Sequence, residues 1–280
     1  MRRQLVSMNK NKFKLLSGPY LFWAISFILI PLFMIFYYGL TDTKGHFTLT
    51  NISMMGSAEN LKALGLAILL SFISTLLCLI IAYPLSMFLA DMNVQQTSFI
   101  VMIFILPMWM NFLLRTLAWQ TLLEKNGVVN SILAFFHLPS LQIINTPYAI
   151  ILGMIYNFLP FMVLPIYNSL IKLDKDIINA ARDLGATKRQ TFIKITLPLT
   201  LPGIISGITM VFVPALTTFV ISDLLGGSKI LLIGNVIEQK FKQGSNWNVG
   251  SGLSLVMMVF ILISMAVMNK YDKDGKGGMF

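Results

Sequence analysis

The chain has 280 residues, of which 56 % are hydrophobic and only 11 % charged, with a formal net charge of +10. Soluble domains carry about 25 % charged residues, and here the apolar residues form long unbroken runs instead of periodic stripes, so a single soluble core is excluded. The bases cluster between those runs, which fits membrane topology and not a nucleic-acid surface.

The N-terminus carries Arg2, Arg3, Lys10, Lys12 and Lys14 ahead of an apolar run over 19–40. That run is too long for a signal peptide and has no small-x-small cleavage site, so it reads as an uncleaved first helix. A spanning helix needs about 20 apolar residues. Six segments meet that length: 19–40, 61–90, 99–119, 147–171, 198–222 and 250–269. Only helices and closed barrels satisfy every backbone group in lipid, and runs this long exclude barrel strands. The second run exceeds the bilayer thickness and is expected to tilt or project. The expected fold is therefore an all-α, polytopic membrane protein of six helices.

The bases orient it. With the N-terminus inside, the inner segments hold the five bases above, then Lys172, Lys175, Arg182, Lys188, Arg189 and Lys194, and finally Lys270, Lys273 and Lys276. The outer side holds Lys44, Lys62, Arg115, Lys125, Lys229, Lys240 and Lys242, a bias of two to one towards N-in, C-in. The loop 91–97 carries no base and does not contribute. The division is then a cytoplasmic tail over 1–18, a single transmembrane domain over 19–269 and a cytoplasmic tail over 270–280. Two outer connections exceed simple turns. The first, 120–146, contains an amphipathic piece at 128–136. The second, 224–249, contains Ile230-Leu-Leu-Ile-Gly and reads as a re-entrant or interfacial helix.

The inner segment 172–197 is the most informative. It reads Asn179-Ala-Ala-Arg-Asp-Leu-Gly-Ala-Thr-Lys-Arg-Gln-Thr-Phe-Ile-Lys-Ile-Thr-Leu-Pro. The composition predicts two short helices between Asp174 and Phe192, broken at Gly185. Asp174 or Asp176 caps the first, and Gly185 takes a positive φ at its end. Ile177, Ala180, Ala181 and Leu184 share one face at helical spacing, suited to insertion in a groove. Pro198 is expected at the start of the next span, where proline is tolerated.

Ala180, Ala181, Gly185, Ile195, Leu197 and Pro198 are in register with the Glu-Ala-Ala, three residues, Gly, nine residues, Ile-x-Leu-Pro pattern of bacterial ABC importer permeases, with Asn179 in place of the Glu. The segment thus resembles that family's coupling loop. The likeness extends through Leu159-Pro-Phe-Met-Val-Leu-Pro-Ile-Tyr, Thr196-Leu-Pro-Leu-Thr-Leu-Pro-Gly-Ile-Ile and Ser222-Asp-Leu-Leu-Gly-Gly-Ser-Lys-Ile-Leu-Leu-Ile-Gly-Asn-Val-Ile, with Leu106-Pro-Met-Trp-Met-Asn as a further point. Together these are similar to the permeases of bacterial spermidine/putrescine ABC importers, the first of the two permease subunits in particular. The resemblance implies the type I importer permease fold in the cytoplasmic membrane and polyamine uptake. It also implies a second permease subunit, a cytoplasmic ABC ATPase dimer and an extracytoplasmic polyamine-binding protein. Asn179 offers only neutral hydrogen bonds where the family Glu fixes the loop by charge.

No Gly-x4-Gly-Lys-[Ser/Thr] loop occurs, so ATP and Mg are expected on the partner ATPase and no cofactor on this chain. No catalytic constellation is seen, and no metal site. The one cysteine, Cys78, lies in an apolar run, and His46 and His137 lie far apart in loops. For the translocation path, intramembrane polar and aromatic groups are the candidates. Asp223 is either an interfacial carboxylate or a cation-attracting group at the outer mouth. Asn157 lies deep in the fourth span, where Pro160 and Pro165 are expected to break the helix and free carbonyls. Tyr156, Tyr167 and Trp109 offer π-faces to an ammonium. Arg115, near a span end, is expected to snorkel, and Gly203-x3-Gly207 is a small-residue stripe for helix contact, within the chain or with a second permease. The alternatives are an importer permease for an iron chelate or another organic amine, an ion-driven secondary transporter, and a scaffold whose basic loop lies on membrane lipid.

Overall fold

The computed structural model describes residues 18–92, 102, 106, 108–227, 229–242 and 246–271. Its elements are helical: α1 (Gly18–Gly39), α2 (Ala58–Asp91), α3 (Phe112–Leu123), α4 (Val128–Phe135), α5 (Pro147–Ile171), α6 (Lys175–Asp183), α7 (Lys188–Thr217), α8 (Val220–Gly226), α9 (Ile233–Lys242) and α10 (Trp247–Tyr271). Among the described residues five helices are long and apolar enough to cross a membrane: α1, α2, α5, α7 and α10. Seven residues of the expected third span, 99–119, lie outside the described residues; its last eight, 112–119, belong to α3, which starts afresh at the non-helical N-cap Asn111. The expected helices at 128–136 and within 224–249 are present as α4 and α9. Helix α2 has 34 residues, about 51 Å at the standard rise against a hydrocarbon core of about 30 Å.

The chain divides into two compact units, one gathering the described residues of Met1–Ser57 and Gln239–Met258, the other those of Ala58–Glu238 and Val259–Phe280. In the first, α1 buries Gly39 alone, with Phe22, Phe27 and Phe33 outward along a lipid-compatible surface. The carbonyl of Thr41, just past α1, accepts from both Asn51 Nδ2 (2.8 Å) and Asn248 Nδ2 (2.6 Å). Two side-chain amides thereby satisfy backbone that has left the helix.

The second unit is built on α2, α5 and α7. Between helices in lipid there is little hydrophobic drive, because acyl chains are as apolar as leucine, so close packing and interhelical hydrogen bonds do the holding. Gly203 and Gly207 meet that need. A Cβ on Gly203 would stand 2.6 Å from the Pro165 carbonyl and also against Ser169 Oγ, and one on Gly207 would press on Met162. The small-residue stripe therefore seats α7 on α5 of the same chain. Tyr83 of α2 hydrogen-bonds Thr200 of α7 (2.8 Å), and Ser86 Oγ donates to the Val163 carbonyl of α5 (3.2 Å).

The expected break of the fourth span at its prolines is corrected. Helix α5 runs unbroken through Pro160 and Pro165. Each proline deletes one N–H without forcing the helix apart, because packed neighbours hold it. The real interruption comes at Thr218 and Phe219, between α7 and α8. There the buried Asn235 donates to the Phe219 carbonyl (3.0 Å) and accepts from Leu232 N–H (3.1 Å) and Ser222 Oγ (2.5 Å). One amide thus covers backbone that the broken helix leaves open.

Replacing Gly203 with Val forces α7 off α5. We expect a loss of about 1–3 kcal/mol, typical of overpacking, read as a lower denaturation midpoint in detergent, whereas Gly65→Val, where a Cβ has nothing within 4 Å, leaves the midpoint nearly unchanged.

Candidate functional site

Helix α6 and the turn after it bridge the end of α5 to the start of α7. Asp174 is the N-cap: its carboxylate accepts from Asp176 N–H at 2.9 Å. Asp176 in the first turn and Arg182 in the last both suit the helix dipole. At the other end Gly185 has φ +81°. Its N–H donates to the Arg182 carbonyl (2.8 Å) and Ala186 N–H to the Ala181 carbonyl (3.0 Å), the paired bonds of a Schellman stop that needs a left-handed residue. Thr187 and Gln190 then form a reciprocal capping box that starts α7. The two-helix reading with a break at Gly185 matches this geometry.

Pro198 is placed differently from the expectation. Helix α7 already begins at Lys188, so Ile195, Leu197 and Pro198 lie inside it. Phe192–Thr196 form a π-turn, with Leu197 N–H reaching back to the Phe192 carbonyl. Pro198 has no N–H for the Lys194 carbonyl, and a locally widened turn accommodates that missing bond. The Phe192 ring packs edge-on to Tyr83 of α2 at 5.6 Å.

Helix α6 has two chemically distinct faces. Ile177, Ala180, Ala181 and Leu184 line the outer one, where Leu184 is 89 % exposed and Ile177 46 %. An exposed leucine beside two alanines gives a narrow apolar ridge that another backbone can approach closely. Lys175, Ile178, Asn179 and Arg182 line the opposite face, which closes over a cleft of about 660 Å³. Asn179, the departure from the family pattern, is thus on the cleft side. Sequence spacing showed the outer face; the cleft behind it had no sequence signal, because its other walls come from α2, α5 and α7.

The path candidates do not form one cage. Tyr156 is 37 % exposed and meets Trp119 edge-on at 5.2 Å. Tyr167 lies eleven residues along α5, about 16 Å away at the helical rise, and lines the cleft under α6. Asn157 is buried, donating Nδ2 to the Gly153 carbonyl at 2.9 Å, while its Oδ1 has no partner among the described residues. Trp109 is exposed, just ahead of α3. Asp223 is exposed in the first turn of α8.

Arg115 does not snorkel. It is only 7 % exposed, with Nε and Nη1 sealed and unpartnered among the described residues and its guanidinium 6.0 Å from the Phe112 ring centroid. Packing of α3 beside α5 and α8 buries it, which spacing along one helix did not reveal.

Comparison with known proteins places this geometry. Residues 68–274 match the family described as "Binding-protein-dependent transport system inner membrane component". Over 272 residues the chain is 34 % identical to the spermidine/putrescine transport system permease protein PotB of Haemophilus influenzae, covering 94 % of this chain and 95 % of that one. It is 37 % identical over 253 residues to PotB of Escherichia coli K12, covering 88 % and 92 %. A solved bacterial ABC transporter involved in the import of the acidic polysaccharide alginate superposes with a TM-score of 0.79 at 17 % identity, over 95 % of this chain and 96 % of that chain, which shows a shared fold. The α5–α6–α7 arrangement thus lies within the matched region, and the chain belongs to the inner-membrane permease components of binding-protein-dependent transport systems, as a multi-pass protein of the cytoplasmic membrane.

Proposed function

We propose that this chain is one permease subunit of an ATP-driven importer of polyamines, spermidine and/or putrescine. The cargo reading is supported by identity of 34–37 % over nearly the whole length to permeases named for spermidine and putrescine. The coupling reading rests on α6. Its end of the bundle faces the cytoplasm, in keeping with the concentration of bases there, and its outer ridge docks in a groove of a separate ABC ATPase that carries ATP and Mg.

Force then has a short route. The ridge of Ile177, Ala180, Ala181 and Leu184 is pushed as the ATPases close. Helix α6 is fixed at both ends, capped by Asp174 just past the end of α5 and stopped by Gly185 ahead of the Thr187–Gln190 box that opens α7. Because α7 is seated on α5 through Gly203, the two spans move as a body instead of flexing independently. A second permease subunit supplies the other half of the path, and an extracytoplasmic binding protein delivers the polyamine. Tyr156, Trp109 and Asp223 are the groups on this chain best suited to an ammonium; Asn157 and Tyr167 are further candidates, the latter nearer the coupling end. With Asn179 on the cleft side of α6, the ATPase contact rests on the apolar ridge.

Labelled spermidine uptake into polyamine-depleted cells tests the reading. We expect uptake to require both this chain and the ATPase and to be competed by putrescine; uptake independent of this chain contradicts the cargo. Gly185→Val strains a left-handed residue by about 1–2 kcal/mol and loosens the α6–α7 connection. We expect faster amide exchange over 175–191, an unchanged bundle midpoint and uptake reduced about tenfold or more, the size that strain allows. Ala181→Trp, which blocks docking without strain, is expected to abolish uptake with exchange unaltered.

A further inference from the structure

The cleft under α6 is unused by the coupling mechanism, and its lining is divided by chemistry. Met87 and Leu89 of α2, Leu170 and Ile171 of α5, Ile178 of α6 and Phe192 of α7 make an apolar wall. Lys175, Arg182 and Lys188 bring three cations to the same cleft, against one carboxylate, Asp91. No carboxylate forms an ion pair with any of those three bases among the described residues. Asp174 is engaged at the helix cap, and Asp176 and Asp183 do not line the cleft. At position 179, also on the lining, the family pattern has a carboxylate and this chain has a neutral amide. Among the described lining residues, Asp91 alone offsets those three charges.

We propose that this cleft is a binding site for an anionic phospholipid of the inner leaflet, its phosphate held by Lys175, Arg182 and Lys188 and its upper acyl segment against the apolar wall. The position fits: the cleft opens where α2 ends at Asp91 and α5 at Ile171, the depth at which a span leaves the hydrocarbon and meets phosphates. Its volume, about 660 Å³, accommodates a headgroup with the first part of its chains but not a whole lipid, as expected for a molecule that stays in its leaflet. Arginine and lysine bind phosphate oxygens by charge-assisted hydrogen bonds. A lipid wedged there braces α6 against α2 and α5, and ties the stiffness of the coupling helix to membrane composition. The inference rests on the orientation proposed above, but its test reads lipid selectivity and not uptake, so the two fail separately.

The full-length chain carrying Ile178→Cys is labelled with bimane; Cys78 is buried and does not compete. It is reconstituted in phosphatidylcholine vesicles containing brominated phosphatidylglycerol or brominated phosphatidylcholine. We expect stronger quenching by the anionic lipid, with selectivity falling about fivefold for each base removed in Lys175→Gln, Arg182→Gln and Lys188→Gln, the effect of about one unit of surface charge per base. Asn179→Glu, which restores a carboxylate without removing a base, should lower selectivity similarly, while Lys229→Gln leaves it unchanged. Equal quenching by both lipids, or selectivity unchanged by the charge variants, overturns the proposal. Displacement by millimolar inorganic phosphate reassigns the site to a free anion, and release of the quench on adding the ATPase reassigns the cleft to the ATPase interface; either result overturns the lipid reading.

Discussion

The seating of α7 on α5 is the contact on which the rest depends. Acyl chains solvate leucine as well as a neighbouring helix does, so the two spans stay together only where they can come very close. Gly203 and Gly207 allow that approach at the carbonyl of Pro165 and at Met162. With α5 and α7 fixed as neighbours, the chain between them must reverse direction over a short distance. Helix α6 and its two turns are the structure that does so.

This arrangement explains how α6 can be exposed and still hold its helix. An amphipathic nine-residue helix is marginal alone. Here Asp174 closes its first turn, Gly185 its last, and the Thr187–Gln190 box anchors the first turn of α7. The ends are secured locally, so the ridge of Ile177, Ala180, Ala181 and Leu184 can be left bare for a partner. The opposite face covers a cationic cleft. A lever with one face for protein and another for lipid phosphate would report on both the ATPase and the surrounding bilayer.

Much of this was legible in the sequence. Runs of about 20 apolar residues marked the spans, because no other backbone arrangement survives in lipid. The spacing Ala180-Ala181-x3-Gly185 carried the helix, its face and its left-handed stop, since all three are local properties. What failed to show was whatever depends on a neighbour. Arg115 looked free to snorkel until α5 and α8 were placed beside it. Gly203 and Gly207 could have faced any helix, and only the packing of α5 says which. Pro198 resembled a helix start because nothing in its own dipeptide announces the π-turn at Phe192–Thr196 that admits it. Asn235 sat inside the stretch that resembled known permeases, yet its role in covering the break at Phe219 required the fold-back of α9.

The central claim is that the outer ridge of α6 docks directly on an ABC ATPase. It is tested most directly with Leu184→Cys, because Leu184 is the more exposed of the two large side chains of that ridge and the native Cys78 is buried. The variant is combined with single cysteines placed along the rim of the ATPase groove, and disulfide formation is followed with and without ATP. The account predicts a cross-link to one groove position, a yield that changes with nucleotide, and transport that is lost on cross-linking and restored by reduction. A Leu184→Cys chain that cross-links nowhere on the ATPase while the complex remains assembled and active would contradict it.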